Sequence, residues 1–265
     1  MTFLIICSVI CVFFATTNGS PARISGGTIA SINDYPFATS LLSNQGQEAY
    51  NQACGGTIIS RTAILSAASC FVTNNAVQPV LWWRARIGTA HSNTRGLVHL
   101  IRQITVHENY QAVTRVNDIA VLRTSVAFVY GDTVQAADIA GGAYPLAVND
   151  RVWGIGWGAT SAVGSSSPEL RHVQIFVNDQ EICESRYSEV GFNVTNNMLC
   201  AGWLNVGVRG QCQGDTGSPL LHQGVVVGVY SWSQGCGNSR YPNINTRVSA
   251  YSRWIEATAT AALTN

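Results

Sequence analysis

Val225-Val226-Val227-Gly228-Val229-Tyr230 is a compact run of β-branched, glycine and aromatic residues, entered from Gln223-Gly224 and left through Ser231-Trp232-Ser233. It is too short for a stable isolated helix and rich in side chains that suit a pleated surface, so it predicts a buried strand. The same pattern recurs along the chain. Thr57 to Leu65, Leu97 to Val106, Ile119 to Leu122 and Val173 to Val177 are apolar runs separated by Gly, Asn, Ser and Pro turns. Short strands at this spacing predict an all-β sandwich or barrel protein. The Ser-rich stretch from Ser161 to Ser167 predicts a surface loop. Tyr251 to Ala262 lacks Gly and Pro and is rich in Ala, and it predicts the one helix. About 240 residues of β structure fit a single domain of two layers or two barrels.

Composition sets the class. The chain has 265 residues, 46% hydrophobic and only 11% charged, which is too apolar for disorder. Its net charge of +1 and lack of any basic block argue against nucleic-acid binding. No apolar run reaches the roughly 18 residues needed to span a membrane. All 15 basic residues are Arg, and Lys is absent. Lys discharges near pH ~10.4 whereas Arg stays charged beyond pH ~12, so this composition suits an alkaline medium.

The N-terminus predicts the compartment. An apolar stretch from Phe3 to Ala15 is followed by Thr16-Thr17-Asn18-Gly19-Ser20, the pattern of a secretory signal peptide over residues 1–19. Of the eight cysteines, Cys7 and Cys11 lie in that leader. The other six, Cys54, Cys70, Cys183, Cys200, Cys212 and Cys236, include no C-x-x-C pair. An even number in a secreted chain favours disulfides over metal ligation, and no metal or cofactor is expected. Asn193-Val194-Thr195 is a glycosylation sequon.

Four segments taken together resemble the trypsin/chymotrypsin serine protease family, and insect digestive trypsin-like enzymes in particular. They are Arg23-Ile24-Ser25-Gly26-Gly27, Cys54-Gly55-Gly56-Thr57 through Ser66-Ala67-Ala68-Ser69-Cys70, Asn117-Asp118-Ile119-Ala120, and Gln213-Gly214-Asp215-Thr216-Gly217-Ser218-Pro219. Gly156-Trp157-Gly158, Ser231-Trp232 and Tyr241-Pro242 complete the pattern in the family's order. The resemblance implies two six-stranded antiparallel β-barrels and a C-terminal helix over residues 24–265, preceded by a short activation propeptide at 20–23. It implies the pairs Cys54–Cys70, Cys183–Cys200 and Cys212–Cys236. It also implies activation by a trypsin-like protease cutting after Arg23, with the freed Ile24 amine pairing with Asp215.

The departures from the family pattern bear on function. Acyl transfer in this family needs a serine hydroxyl, an imidazole to take its proton and a carboxylate to orient the imidazole. The resemblance places these at Thr216, Ser69 and Asp118, so only the carboxylate is retained. A serine hydroxyl has no accessible protonation change with which to act as a general base, and threonine attacks only when a base activates it. Loss of one triad member costs roughly 10⁴–10⁶ in turnover, a scale taken from well-studied serine proteases rather than from this chain. His91, His99, His107, His172 and His222 read as solvated or packed side chains, with His107 on a surface loop and His222 near a hairpin turn.

The specificity pocket is altered as well. Gly210 stands where trypsin-like members carry an anionic anchor, while Ser233 and Asn243 replace glycines of the pocket wall. The backbone N–H groups of Gly214 and Thr216 remain as oxyanion-hole donors. Without its imidazole partner, Asp118 is expected to draw hydrogen bonds from Ser69 and Ser231. These features predict a secreted serine protease homologue without proteolytic activity that acts by binding, its partners being protease inhibitors or active proteases. The alternative is an active secreted digestive serine-type endopeptidase. An extracellular setting such as an alkaline gut lumen fits either.

Overall fold

The computed structural model describes residues 26–262. The expected signal peptide and propeptide, with Arg23 and Ile24, lie outside that range. The first half forms β1 (Ala38–Ser43), β2 (Asn51–Ile58), β3 (Ala63–Ser66), β4 (Trp83–Ile87), β5 (Leu97–Val106) and β6 (Ala120–Thr124). They close into an antiparallel barrel in the order β1-β2-β3-β6-β5-β4. The second half forms β7 (Arg151–Gly156), β8 (Arg171–Val177), β9 (Met198–Gly202), β10 (Pro219–His222), β11 (Val225–Trp232) and β12 (Asn243–Arg247). Its cyclic order, β7-β8-β9-β12-β11-β10, repeats that of the first barrel strand for strand. The short strand Thr28–Ile29 adds to the edge of β8. Closing a sheet on itself removes the exposed edges that open sheets must protect.

Both barrels are filled by the apolar residues that the sequence sets between turns. Trp83 packs edge-on against Phe71 in the first barrel at 4.7 Å between ring centres. The buried Trp157 sends its indole N–H to the Ala90 carbonyl at 2.7 Å. The disulfides Cys54–Cys70, Cys183–Cys200 and Cys212–Cys236 form as the resemblance implied.

Two helices are present rather than one. The nine-residue α1 (Gln180–Ser188) follows Asp179, whose carboxylate accepts from the Ile182 N–H at 3.0 Å and caps the first turn. It was not expected, because it buries little beyond Cys183 and Tyr187, too narrow a stripe to show as periodicity. The C-terminal α2 (Val248–Thr260) begins three residues before the expected start and ends two residues before the expected finish. It lays Val248, Tyr251 and Ile255 against the molecule. The run from Thr57 to Leu65 divides into β2 and β3, because Ser60 Oγ accepts from the Thr62 and Ala63 N–H groups and bends the chain.

The barrels meet along a cleft and are bonded across it. Gly55 N–H donates to the Thr216 carbonyl at 2.8 Å, and Thr246 Oγ1 donates to the Asp118 carbonyl at 2.6 Å. Ser69 lies in a 3₁₀ turn after β3, Asp118 just before β6, and Thr216 in the loop leading to β10. Three loops from two barrels therefore bring the candidate residues to one place.

Candidate active-site cleft

Asp118 is completely buried, and three donors meet its carboxylate. Ser69 gives its backbone N–H to Oδ1 at 2.7 Å and its hydroxyl to Oδ2 at 2.9 Å. Ser231 Oγ donates to the same Oδ2 at 2.5 Å. The two hydroxyl partners are those expected from the sequence. The Ser69 N–H is an additional one, supplied by the 3₁₀ turn, which no side-chain pattern could reveal. Burial is the largest influence on this carboxyl and raises it above the usual range. Ser231, the Ser69 N–H, the nearby Arg115 charge and the Ser69 hydroxyl draw it back.

Thr216 stands apart from this cluster. Its hydroxyl donates to the Ser231 carbonyl at 3.4 Å. Among the described residues no imidazole bonds to Thr216 or Asp118. His91 pairs with Glu169 through the backbone, and His99 stacks edge-on against Phe128 at 4.8 Å. His172 bonds Tyr35 and Thr28, and His222 bonds Tyr144 at 2.9 Å near the end of β10. His107 is not on an open loop. It packs between Tyr251 and Trp254 of α2, at 5.4 and 5.0 Å between ring centres, because α2 folds back over the end of β5.

The nucleophile loop keeps a shaped backbone. Gly214 has φ +89°, a left-handed conformation that glycine adopts without strain. The Gly214 carbonyl accepts from Gln52 Nε2 at 2.7 Å, which fixes the peptide from behind. Neither the Gly214 nor the Thr216 N–H donates to another described residue. Ser218 is buried directly against Gly55, and its hydroxymethyl fits because Gly55 carries no side chain.

Asp215 is also completely buried. It accepts from the Gly158 N–H at 2.7 Å and the Cys212 N–H at 2.9 Å. Burial pushes its carboxyl up to about 7, against the pull of those two N–H groups. Its expected partner, Ile24, falls outside the described residues.

Ser233 and Asn243, at positions expected to form the specificity pocket, carry polar side chains. Asn243 is buried and donates Nδ2 to the Gln211 carbonyl at 2.8 Å, while Oδ1 lies where a side chain on Gly210 would have to stand. The Ser233 hydroxyl meets Tyr230 Oη at 2.8 Å and donates to the Gly235 carbonyl at 2.7 Å. What remains is a recess of about 160 Å³ lined by Thr216, Tyr230, Ser231, Trp232 and Ser233, with Arg115 at its border. Arg115, Tyr230 and Gln211 were not singled out from the sequence, since an isolated Arg, Tyr or Gln gives no motif.

The Trypsin family profile matches residues 24–255. Over 237 residues the chain is 47% identical to Trypsin CFT-1 of Choristoneura fumiferana, covering 89% of this chain and 91% of that one. It is 44% identical over 241 residues to Trypsin, alkaline C of Manduca sexta, covering 91% and 93%. It is 41% identical over 240 residues to Achelase-1 of Lonomia achelous, covering 89% and 100%. The chain belongs to the trypsin family of serine proteases.

Proposed function

We propose that this protein is a secreted trypsin-family homologue that engages other proteins through its cleft without hydrolysing them. One observation carries the reading: the partner of the Asp118 carboxylate at the imidazole position is the Ser69 hydroxyl, at 2.9 Å. An imidazole there would hold the nucleophile's proton during attack and return it to the leaving group. Ser69 has no free lone-pair base of that strength, and Thr216 Oγ1 turns to a carbonyl instead. The Asn243 amide across the pocket floor supports the same reading and narrows the ligand class. A long cationic side chain meets neither room nor an anion there. A small uncharged side chain on an extended segment fits the recess beside Trp232. Inhibitor loops or surface segments of active proteases that carry such a residue are the proposed partners, after cleavage following Arg23 by a trypsin-like protease.

A second reading is an active secreted digestive endopeptidase. It draws on the comparisons, since the relatives described above at 44–47% identity carry the name trypsin, and on the retained Gly214 and Asp215. The names taken alone favour this second reading.

Peptide esters and a serine-directed phosphonate, applied to protein cleaved after Arg23, separate the two. No ester turnover and no label at Thr216 is the expected result. Labelling at Thr216, or a burst of ester product, overturns the binding reading. As a control, restoring Ser69→His together with Thr216→Ser is expected to return esterase activity, because the oxyanion donors and Asp118 are in place.

A further inference from the structure

Asn193-Val194-Thr195 is the single N-x-Ser/Thr sequence among the described residues, and the fold presents it in an unusual way. The segment is irregular, with no proline, between the end of α1 and the start of β9. Its three side chains part company. Val194 is buried with Cys183, Tyr187, Met198 and Cys200 in a small second core. Thr195 turns its hydroxyl inward too, and its backbone carbonyl accepts from the Met198 N–H at 2.9 Å and from Gln180 Nε2 at 3.1 Å. Asn193 alone faces solvent, and it makes no hydrogen bond to another described residue. A bulky group on Nδ2 therefore displaces nothing, while its two neighbours lock the segment into the fold.

We infer that Asn193 carries an N-linked oligosaccharide in the secreted protein. In the transfer, Asn193 Nδ2 forms a bond to the anomeric carbon of a sugar held on a lipid pyrophosphate. The sugar's bond to the pyrophosphate oxygen breaks, the pyrophosphate leaves with the electron pair, and the amide loses one proton. The donor, a lipid-pyrophosphoryl oligosaccharide, belongs to the secretory compartment, so the inference rests on the secretory leader at residues 1–19. Acceptor Asn residues are modified as the chain enters that compartment, before folding is complete. The Cys183–Cys200 disulfide then closes around the segment that bears the glycan.

Position gives the glycan a consequence. Phe192, the residue before it, packs on Trp232 at 4.4 Å between ring centres, and Trp232 lines the recess of the cleft. The oligosaccharide thus sits one residue along the chain from the side chain that backs Trp232 of the recess.

The full-length chain is expressed in insect cells, and protein from the medium is compared with protein retained in the cells. The expected result is one glycan on the secreted protein. Peptide N-glycosidase should remove it and convert residue 193 to Asp, as read by mass spectrometry of the peptide. Asn193→Gln should abolish the mass step, and Thr195→Ser, which keeps the sequon, should retain it. If Asn193→Gln is not secreted, the glycosidase-treated parent supplies the unmodified form. Secreted protein with unmodified Asn193 overturns the site assignment while leaving secretion intact. A chain found only inside the cells, without glycan, overturns the leader and the site together.

Discussion

At the level of single residues, the cleft is built around a buried carboxylate that takes its hydrogen bonds from two serines. Asp118 and its two serine donors were legible in the sequence because a buried, unpaired carboxylate demands donors and Ser69 and Ser231 were the side chains within the motifs. The Ser69 N–H was not legible, since it depends on a backbone turn. Ser69→Ala removes the hydroxyl bond and keeps the N–H, so it is expected to cost about 1–3 kcal/mol where Asp118 is ionised. Because the folded carboxyl is raised above its ordinary value, Asp118 favours the fold most when protonated and less as pH climbs. The Ser69→Ala penalty should therefore shrink on acidification. Urea unfolding at neutral and acidic pH measures this, and an equal penalty at both would contradict the assigned contacts. Asn243→Gly tests the pocket. Removing the amide from the floor is expected to let the recess take a longer side chain, read as stronger binding of a peptide carrying Leu than of one carrying Ala. The parent should show the reverse preference.

At the level of elements, strands were easier to foresee than helices. The expected strand from Leu97 to Val106 matches β5 residue for residue, because its apolar run is bounded by Gly96 and by the His107 turn. Helix α1 escaped notice because its stability comes from the Asp179 cap and from docking Cys183 and Tyr187, not from a broad apolar face. Helix α2 carries its packing on a few side chains. Ile255→Ala is expected to destabilise the protein by about 2–5 kcal/mol, against little change for the neighbouring exposed Glu256→Ala, in chemical denaturation. The loop before β10 holds a second pH-dependent group. With its carboxyl raised to about 7, Asp215 contributes stability that is lost as pH rises from about 4 through 7. An amine released at Ile24 by cleavage would hold the carboxylate in its charged form. Thermal unfolding from pH 5 to 8 should therefore show a falling stability in the uncleaved chain and a weaker fall, or a rise, after cleavage. Parallel curves would remove the proposed pairing.

At the level of the whole molecule, the charge is carried by groups that do not discharge in mild alkali. Every basic side chain but the five histidines is Arg, the six cysteines among the described residues are in disulfides, and burial raises the Tyr35, Tyr110, Tyr187, Tyr230 and Tyr251 hydroxyls. Electrophoretic mobility should accordingly change little between about pH 8 and about pH 10, where a lysine-bearing protein begins to lose cationic charge. The composition made that legible, and the family resemblance implied the two barrels; their shared strand order was not foreseen, because apolar runs do not reveal which strands pair.

The joint between the two barrels is secured by pairs such as Gly55 with Thr216 and Thr246 with Asp118, all far apart along the chain. Continuity of the peptide between β6 and β7 is therefore not what keeps the halves in register. A nick in the exposed stretch between Ala147 and Val148 should leave a particle that migrates as one body and comes apart only when it unfolds.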